Sequence, residues 1–446
     1  MVRKYSIETF GCQMNVHDSE RLGGLLQQAG YEPATGPDEA DLVVINTCSV
    51  RERAEEKLYS RLDRYRGAAA HDRPVIAVIG CVAQQEGERL LERAPIDAVV
   101  GTQALGELPA LVARAVETRR AQVDITPYDD VSFPLGIAAR GDPVKAFVTV
   151  VEGCNDFCAF CVVPYTRGHE RMRAAGEILD EVRQAVDAGH KEIHLLGQIV
   201  NHYQAPDIAG CDFAGLLRRV DAVPGVRRIR FASPHPRHVT SALIAAVRDL
   251  PSVCKHLHLP VQSGSTRILT AMRRRHTRED YLRLVDEVRR SIPEMTLSTD
   301  MIVGFPGETE TDFADTLSLT RTVGFHGMFS FKYSERPNTL AARRMADDVA
   351  EADKRRRLTE LQALQKDIQT NLLGTLRGRT VEVLVDSRSR RRSYEYSGRT
   401  TGNTVVNFPG QPDWIGRFID VTIERTGPNS VWGSAATAKR QVAHAD

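Results

Sequence analysis

The run Gly153-Cys154-Asn155-Asp156-Phe157-Cys158-Ala159-Phe160-Cys161 places three thiols on one tight loop. A tetrahedral structural zinc wants four protein ligands, and no fourth Cys or His follows at a finger spacing. Three thiolates instead suit an iron-sulfur cubane whose fourth iron stays open for substrate.

A second trio is scattered through the first hundred residues. Its members lie in Gly11-Cys12-Gln13-Met14-Asn15, in Asn46-Thr47-Cys48-Ser49-Val50 and in Gly80-Cys81-Val82-Ala83-Gln84-Gln85, each where an apolar strand gives way to a loop or helix. In an open α/β sheet the carboxyl ends of neighbouring strands share one edge, so these thiols can converge. A single Cys near a strand end is most often a buried thiol. Three at equivalent places, beside another incomplete trio, point to a second open cluster. Cys211 and Cys254 have no such companions and read as structural thiols.

The elements that must hold these residues fall into three regions. Up to about residue 125, unbroken apolar runs such as Leu42 to Ile45 and Val75 to Ile79 alternate with amphipathic helical patterns, which predicts an open α/β domain with strands buried on both faces. Residues 123–143 are rich in Pro and Gly and read as a linker. A second α/β region over 140–373 offers six candidate strands: Lys145 to Val151, Glu192 to Leu196, Arg228 to Ala232, His256 to Val261, Thr296 to Val303 and Gly327 to Lys332. Six βα units suggest an incomplete barrel with ligands at the carboxyl ends of its strands. A helix from Val349 to Leu373 closes it, with a charged run, Lys354-Arg355-Arg356-Arg357, expected to be solvated. From 374 to about 440 short alternating strands separated by Gly and Pro turns suggest a small antiparallel β-barrel, followed by a frayed tail.

Composition limits the rest. Lys and Arg total 59 against 58 for Asp and Glu, so any contact with a polyanion must be local. The basic, aromatic-interleaved run Arg388-Ser389-Arg390-Arg391-Arg392-Ser393-Tyr394-Glu395-Tyr396 is the candidate, with Arg388, Arg390 and Arg391 for phosphates and Tyr394 and Tyr396 for unpaired bases. The first residues lack a secretory signal, and no apolar run approaches the ~18 residues that span a bilayer. A cytoplasmic location follows, where eight cysteines are thiols and ligands rather than disulfides.

The Cys-x3-Cys-x2-Cys spacing, with Phe160 just before the last Cys, resembles the radical S-adenosylmethionine (SAM) superfamily. That resemblance implies a 4Fe-4S cluster on Cys154, Cys158 and Cys161 and SAM at its open iron. It further implies that Leu195-Leu196-Gly197-Gln198 holds the cofactor's amino group. Met301-Ile302-Val303-Gly304-Phe305-Pro306-Gly307-Glu308 resembles the superfamily's glycine loop, where backbone approaches adenine. Thr9 to Glu20, Ile45 to Glu52, Val162 to Gly168, Leu257 to Ser265 and Ser298 to Thr309 look like the methylthiotransferase family, and the C-terminal module is similar to the TRAM RNA-binding domain. Three positions depart from that pattern: Ile199, where Asn usually follows Gly-Gln; Met172, for Ser in an Arg-Ser-Arg stretch; and Asn338, for Gly after Arg336-Pro337.

Carbon 2 of adenine is neither nucleophilic nor acidic, so replacing its hydrogen with sulfur needs a radical route that a cofactor supplies. The resemblance implies that route. Reductive cleavage of SAM gives a 5′-deoxyadenosyl radical, a second 4Fe-4S cluster on Cys12, Cys48 and Cys81 presents a sulfur methylated by another SAM, and the target is isopentenylated adenosine at position 37 in a tRNA anticodon loop. It also implies a flavodoxin or ferredoxin as electron donor. The same chemistry on threonylcarbamoyl-adenosine or on a ribosomal-protein aspartate is the nearest rival. A non-catalytic iron-sulfur or zinc RNA-binding protein is the rival of another class.

Overall fold

The computed structural model of the chain describes residues 3–49, 52–67, 73–126, 138–389 and 392–436. Most of the expected linker, the C-terminal tail, Arg390 and Arg391 therefore lie outside the described residues.

Six parallel strands form the first sheet: β1 (Arg3–Phe10), β2 (Tyr31–Pro33), β3 (Leu42–Thr47), β4 (Val75–Gly80), β5 (Ala98–Val100) and β6 (Gln122–Asp124), in the order β2-β1-β3-β4-β5-β6. The helices α1 (Gln13–Gln28) and α4 (Leu108–Thr118) cover one face, packing Leu22, Leu26, Leu108 and Leu111 on Leu42, Val44, Ala77 and Ile79. The other face takes α2 (Glu52–Asp63) and α3 (Cys81–Glu86), with Leu58, Leu62 and Val82 on Val43, Ile45, Ile76 and Val78. Both faces of β3 and β4 are thus buried, which is why their sequences show no polar alternation. Strand order reverses between β1 and β3, the place where open α/β sheets bind ligands.

The second region begins with β7 (Lys145–Thr149), β8 (Val151–Glu152), α5 (Val163–Arg167), β9 (Arg171–Met172), α6 (Ala175–Asp187), β10 (Glu192–Leu196), α7 (Phe213–Asp221) and β11 (Arg228–Phe231). It continues with α8 (Ser241–Asp249), β12 (His256–His258), α9 (Thr266–Ala271), α10 (Arg278–Ser291), β13 (Thr296–Val303), α11 (Glu310–Val323), β14 (Gly327–Lys332), α12 (Leu340–Arg344) and α13 (Glu351–Gly374). Two parallel half-sheets, β11-β10-β7 and β12-β13-β14, are joined by one parallel bridge between Ile229 and Val253. Six strands therefore curve in sequence order into a partial barrel that is open between β7 and β14.

Three expectations change in detail. The strand expected over Lys145 to Val151 breaks after Thr149, and β8 turns to pair antiparallel with β9. The strand expected to reach Val261 ends at His258, because Pro260 has no N–H to donate; pairing resumes at Gln262, whose N–H donates to Asp300 O at 3.0 Å. The charged run on α13 is half buried: Lys354 and Arg357 share the stripe with Leu361 and Gln365. Lys354 pairs with Asp347 at 2.6 Å, and Arg357 with Glu308 at 2.9 Å and Glu310 at 2.7 Å. The stripe thus underlies the loop after β13.

The last region holds β15 (Thr380–Arg388), β16 (Glu395–Arg399), β17 (Val405–Pro409), β18 (Phe418–Thr426) and β19 (Val431–Ala435), closed in the order β15-β16-β17-β19-β18. A closed ring of five strands cannot alternate direction all the way round. One parallel pair, β17 with β19, is the consequence, and the barrel is antiparallel elsewhere.

The turn between β16 and β17 plugs the amino-terminal end of the partial barrel. Arg228 donates to Arg399 O at 2.6 Å, Arg230 to Thr400 O at 2.7 Å, Lys255 N–H to Thr401 Oγ1 at 3.0 Å and Thr296 Oγ1 to Gly402 O at 2.8 Å. A Cβ on Gly402 would stand 2.8 Å from Thr296 Cγ2, so the turn needs glycine there. Arg230 also pairs with buried Glu192 at 3.0 Å. Burial opposes the charge on Glu192, but the hydrogen bond from His194 and the Arg230 cation hold it well below the usual carboxylate range. Arg230→Met should therefore cost about 3–5 kcal/mol, the penalty of stranding one member of a buried pair. Urea unfolding measures this, and a loss under ~1 kcal/mol would contradict the pairing's role.

Candidate functional site

The loop carrying Cys154, Cys158 and Cys161 joins β8 to α5. It opens on Gly153, at φ +74°, where a Cβ would lie 2.0 Å from His169 O. Backbone bonds anchor it on several sides: Cys154 N–H donates to Gly168 O at 3.1 Å, Ala159 N–H to Met272 O at 3.0 Å and Ala341 N–H to Ala159 O at 2.8 Å. Arg274 approaches Cys158 Sγ at 3.6 Å while donating to Pro260 O at 2.8 Å. Burial pushes the Cys154 thiol up to about 11 and Cys161 up to about 12, so iron must displace both protons.

The residues expected to meet SAM gather at the same end of the barrel. Gly197 closes β10, with a Cβ position 3.1 Å from Val151 Cβ and 3.3 Å from its carbonyl oxygen. Gln198 follows, and its buried Oε1 has no hydrogen-bond partner among the described residues. An unfilled acceptor there fits an incoming amino group. Gly304 ends β13 at φ +71°, but the space at its Cβ is taken by Lys354, whose Cγ would lie 2.4 Å away. Packing by α13 requires that glycine. Phe305 is fully buried with Ala159, Ile268 and Tyr333, and Phe160 packs against this cluster. The two aromatics therefore form an apolar floor behind the cysteine loop.

The second trio converges as the sheet order demands. Strands β1, β3 and β4 are neighbours, paired so that Phe10 faces Thr47 and Thr47 faces Gly80. Cys12 caps α1, Cys48 follows β3 and Cys81 opens α3, so all three stand on one edge. Two fully buried asparagines tie the loops. Asn15 Oδ1 accepts from Cys12 N–H at 3.3 Å, Asn15 Nδ2 donates to Asn46 Oδ1 at 2.9 Å, and Asn46 Nδ2 donates to Asn15 O at 2.9 Å. A Cβ on Gly11 would lie 2.5 Å from Asn15 Oδ1, and one on Gly80 2.4 Å from Asn46 Oδ1. Both glycines are thus required by close packing. A hydrogen bond from Cys48 draws the Cys12 thiol down to about 6, with help from Arg167 and against burial. Among the described residues, no three Cys, His, Asp or Glu side chains are placed to share one metal ion. Thiolates that each bind a different iron of a cubane stand farther apart than that.

Arg167 was visible in the sequence only as part of a motif. It ends α5, the helix that follows Cys161, and crosses to the first domain, where it pairs with buried Asp18 at 2.6 Å and sets its charge against burial's upward push on the Cys81 thiol. Thr102 Oγ1 donates to Thr166 O at 2.5 Å and Gln103 Nε2 to Arg167 O at 3.2 Å, fixing that approach. Arg21 pairs with Glu152 at 3.3 Å and His17 Nδ1 lies 2.9 Å from Thr149 Oγ1, so α1 is locked to the barrel as well. The two trios are therefore mutually positioned by one buried polar interface.

Of the candidate RNA contacts, Arg388 and Tyr394 are exposed, with Tyr394 near the start of β16. Tyr396 does not share their surface: it is 4% exposed and sits in the small barrel's core with Val383, Phe408 and Val421. Alternation along β16 turns its ring inward. Of the three departures, Asn338 sits at φ +67°, which asparagine tolerates in place of glycine, and Met172 Sδ accepts from Gln204 N–H at 3.0 Å. Ile199 is buried.

Three families match the chain: the uncharacterized protein family UPF0004 over residues 4–101, the radical SAM superfamily over 148–320 and the TRAM domain over 374–436. Among solved structures, the radical S-adenosylmethionine methyltransferase TsrM from Kitasatospora setae, with cobalamin and a 4Fe-4S cluster bound, superposes with a TM-score of 0.57 at 15% identity over 77% of each chain. The cobalamin-dependent radical enzyme OxsB gives 0.52 at 13% identity, over 82% of this chain and 56% of that one. Both show the fold alone. Among sequence relatives, the tRNA-2-methylthio-N(6)-dimethylallyladenosine synthase of Geobacter metallireducens is 46% identical over 96% of this chain and 98% of its own. That of Methylococcus capsulatus is 47% identical over 97% and 95%, and that of Halorhodospira halophila 47% over 98% and 94%. With identity at this level over nearly the whole of both chains, the protein belongs to the tRNA-2-methylthio-N(6)-dimethylallyladenosine synthase family of radical SAM enzymes.

Proposed function

We propose that the chain converts N6-isopentenyladenosine at position 37 of tRNA to its 2-methylthio derivative by radical SAM chemistry. The observation that carries this reading is the juxtaposition of two cysteine trios across one buried interface, in a chain of this family. Residues 1–125 serve as the methylthiotransferase domain, 140–373 as the radical SAM core and 374–440 as the RNA-binding module.

Cys154, Cys158 and Cys161 would hold one 4Fe-4S cluster, for SAM chemistry, and Cys12, Cys48 and Cys81 would hold a second. When bound, these groups supply the electron, the radical and the sulfur. The chain's residues do the rest. Arg274 places its guanidinium beside Cys158 Sγ, Gln198 Oε1 would accept from the cofactor's amino group, and the turn at Gly197 keeps that acceptor beside the cysteine loop. Phe160 and Phe305 keep water from the loop's inner side. Arg167 sets a fixed cation among the second trio, favouring thiolates and holding α5 against them. Arg388 and Tyr394, with Arg390 and Arg391, supply a local patch for the anticodon arm. A flavodoxin or ferredoxin is the electron donor. Among the described residues no helix is long and apolar enough to cross a membrane, and we place the enzyme in the cytoplasm.

The test is anaerobic turnover of reconstituted enzyme with dithionite, SAM and isopentenylated tRNA, read by nucleoside mass analysis. A methylthio nucleoside is expected. Formation of 5′-deoxyadenosine with an unmodified nucleoside would keep the radical assignment and overturn the substrate.

A further inference from the structure

Strand β14 is the last of the partial barrel, and its outer edge faces the open seam toward β7. On it, Phe329 and Phe331 alternate with Met328 and Ser330 and so share one face. That face is the inner one. Phe329 lies opposite Asp300 and Phe331 opposite Ile302, while the intervening Met301 and Val303 of β13 are buried in the core beneath the helices. The Phe329 ring stands edge-on to His258, at 5.9 Å between centroids, and His258 Nε2 lies 3.3 Å from Asp300 Oδ1.

Both rings are bare, at 56% and 40% exposure. Isolated exposed phenylalanines need no explanation, but two on one face of an edge strand make an apolar platform. Just beyond Ile302, β13 runs into the Gly304-Phe305 loop assigned above to SAM. A flat apolar group resting on the platform therefore lies beside the cofactor. Aromatic platforms on which an unpaired base can stack are what single-stranded nucleic acid takes.

We infer that Phe329 and Phe331 form the subsite that reads the prenylated adenine, stacking the base and packing the five-carbon chain, with Asp300 accepting the remaining N6 hydrogen. This rests on the substrate reading above and deepens it. Exposed on the inner face, these two rings offer the prenyl group apolar surface to bury against, so discrimination for the modified base falls to them.

The experiment measures affinity of the reconstituted enzyme, without reductant, for anticodon stem-loops with and without the isopentenyl group. Burying such a group is worth about 10- to 100-fold. Wild type should prefer the prenylated RNA by that factor. Phe329→Ala with Phe331→Ala should bring the preference to within about twofold of unity, and Phe329→Leu with Phe331→Leu should restore much of it. Cluster absorbance checks that the variants are assembled. A double alanine variant that keeps the wild-type preference overturns the assignment. If wild type itself shows no preference, the substrate reading fails, and the subsite with it.

Discussion

Replacing Cys154, Cys158 or Cys161 with Ala should abolish 5′-deoxyadenosine formation as well as nucleoside modification. The physical reason is ligand count. A cubane held by three thiolates keeps one iron for SAM, and with two thiolates the cluster loses the geometry that leaves a single open site. The loop cannot recruit a substitute: its neighbours Asn155, Asp156 and Phe157 offer no thiol, and Cys254 and Cys211 are buried elsewhere in the barrel. A conservative Cys158→Ser change should fail likewise, while Arg274→Lys, which keeps a cation at Cys158, should retain part of the activity. Reductive cleavage of SAM, assayed by chromatography of the reaction mixture without RNA, separates these outcomes.

Loss of the second trio should behave differently. With Cys12→Ala, Cys48→Ala or Cys81→Ala, cleavage of SAM at the first site should persist and methylthio transfer should fall to background. The separation follows from the fold. The two trios sit on different sheets, and the polar interface between α1 and the barrel is held by ion pairs and hydrogen bonds of Asp18, Arg21 and His17, none of which uses a thiol. A variant of Cys81 that also lost SAM cleavage would mean that the two sites fold or react as one.

What the sequence made legible was local. Cys154, Cys158 and Cys161 are spaced within one loop, and the second trio lies at strand ends whose apolar runs mark them. The strands Glu192–Leu196, Thr296–Val303 and Gly327–Lys332 begin and end where their patterns do. Long-range placement was not legible. Nothing near Arg167 announces that it will pair with Asp18, 149 residues away. Nor does the turn at Thr400 to Gly402 advertise that it fills the far end of another domain's barrel. Charge alone also misled. In Lys354-Arg355-Arg356-Arg357 the helical phase puts the first and last residues on the stripe of Leu361, so two cations are buried beneath the loop of Gly304. At Tyr396, strand phase puts the ring inside the barrel, while Tyr394 stays exposed in the turn before β16. Residue type suggested both readings; which face meets the core is set by packing.

The proposed function needs two cubanes in this chain, one on each trio. Iron and acid-labile sulfide counted per chain after anaerobic reconstitution test it most directly, in wild type and in two triple variants, Cys154→Ala with Cys158→Ala and Cys161→Ala, and Cys12→Ala with Cys48→Ala and Cys81→Ala. Two cubanes' worth in wild type and half of that in each variant is the predicted result. A wild-type content of one cubane, unchanged when Cys12, Cys48 and Cys81 are removed, would contradict it.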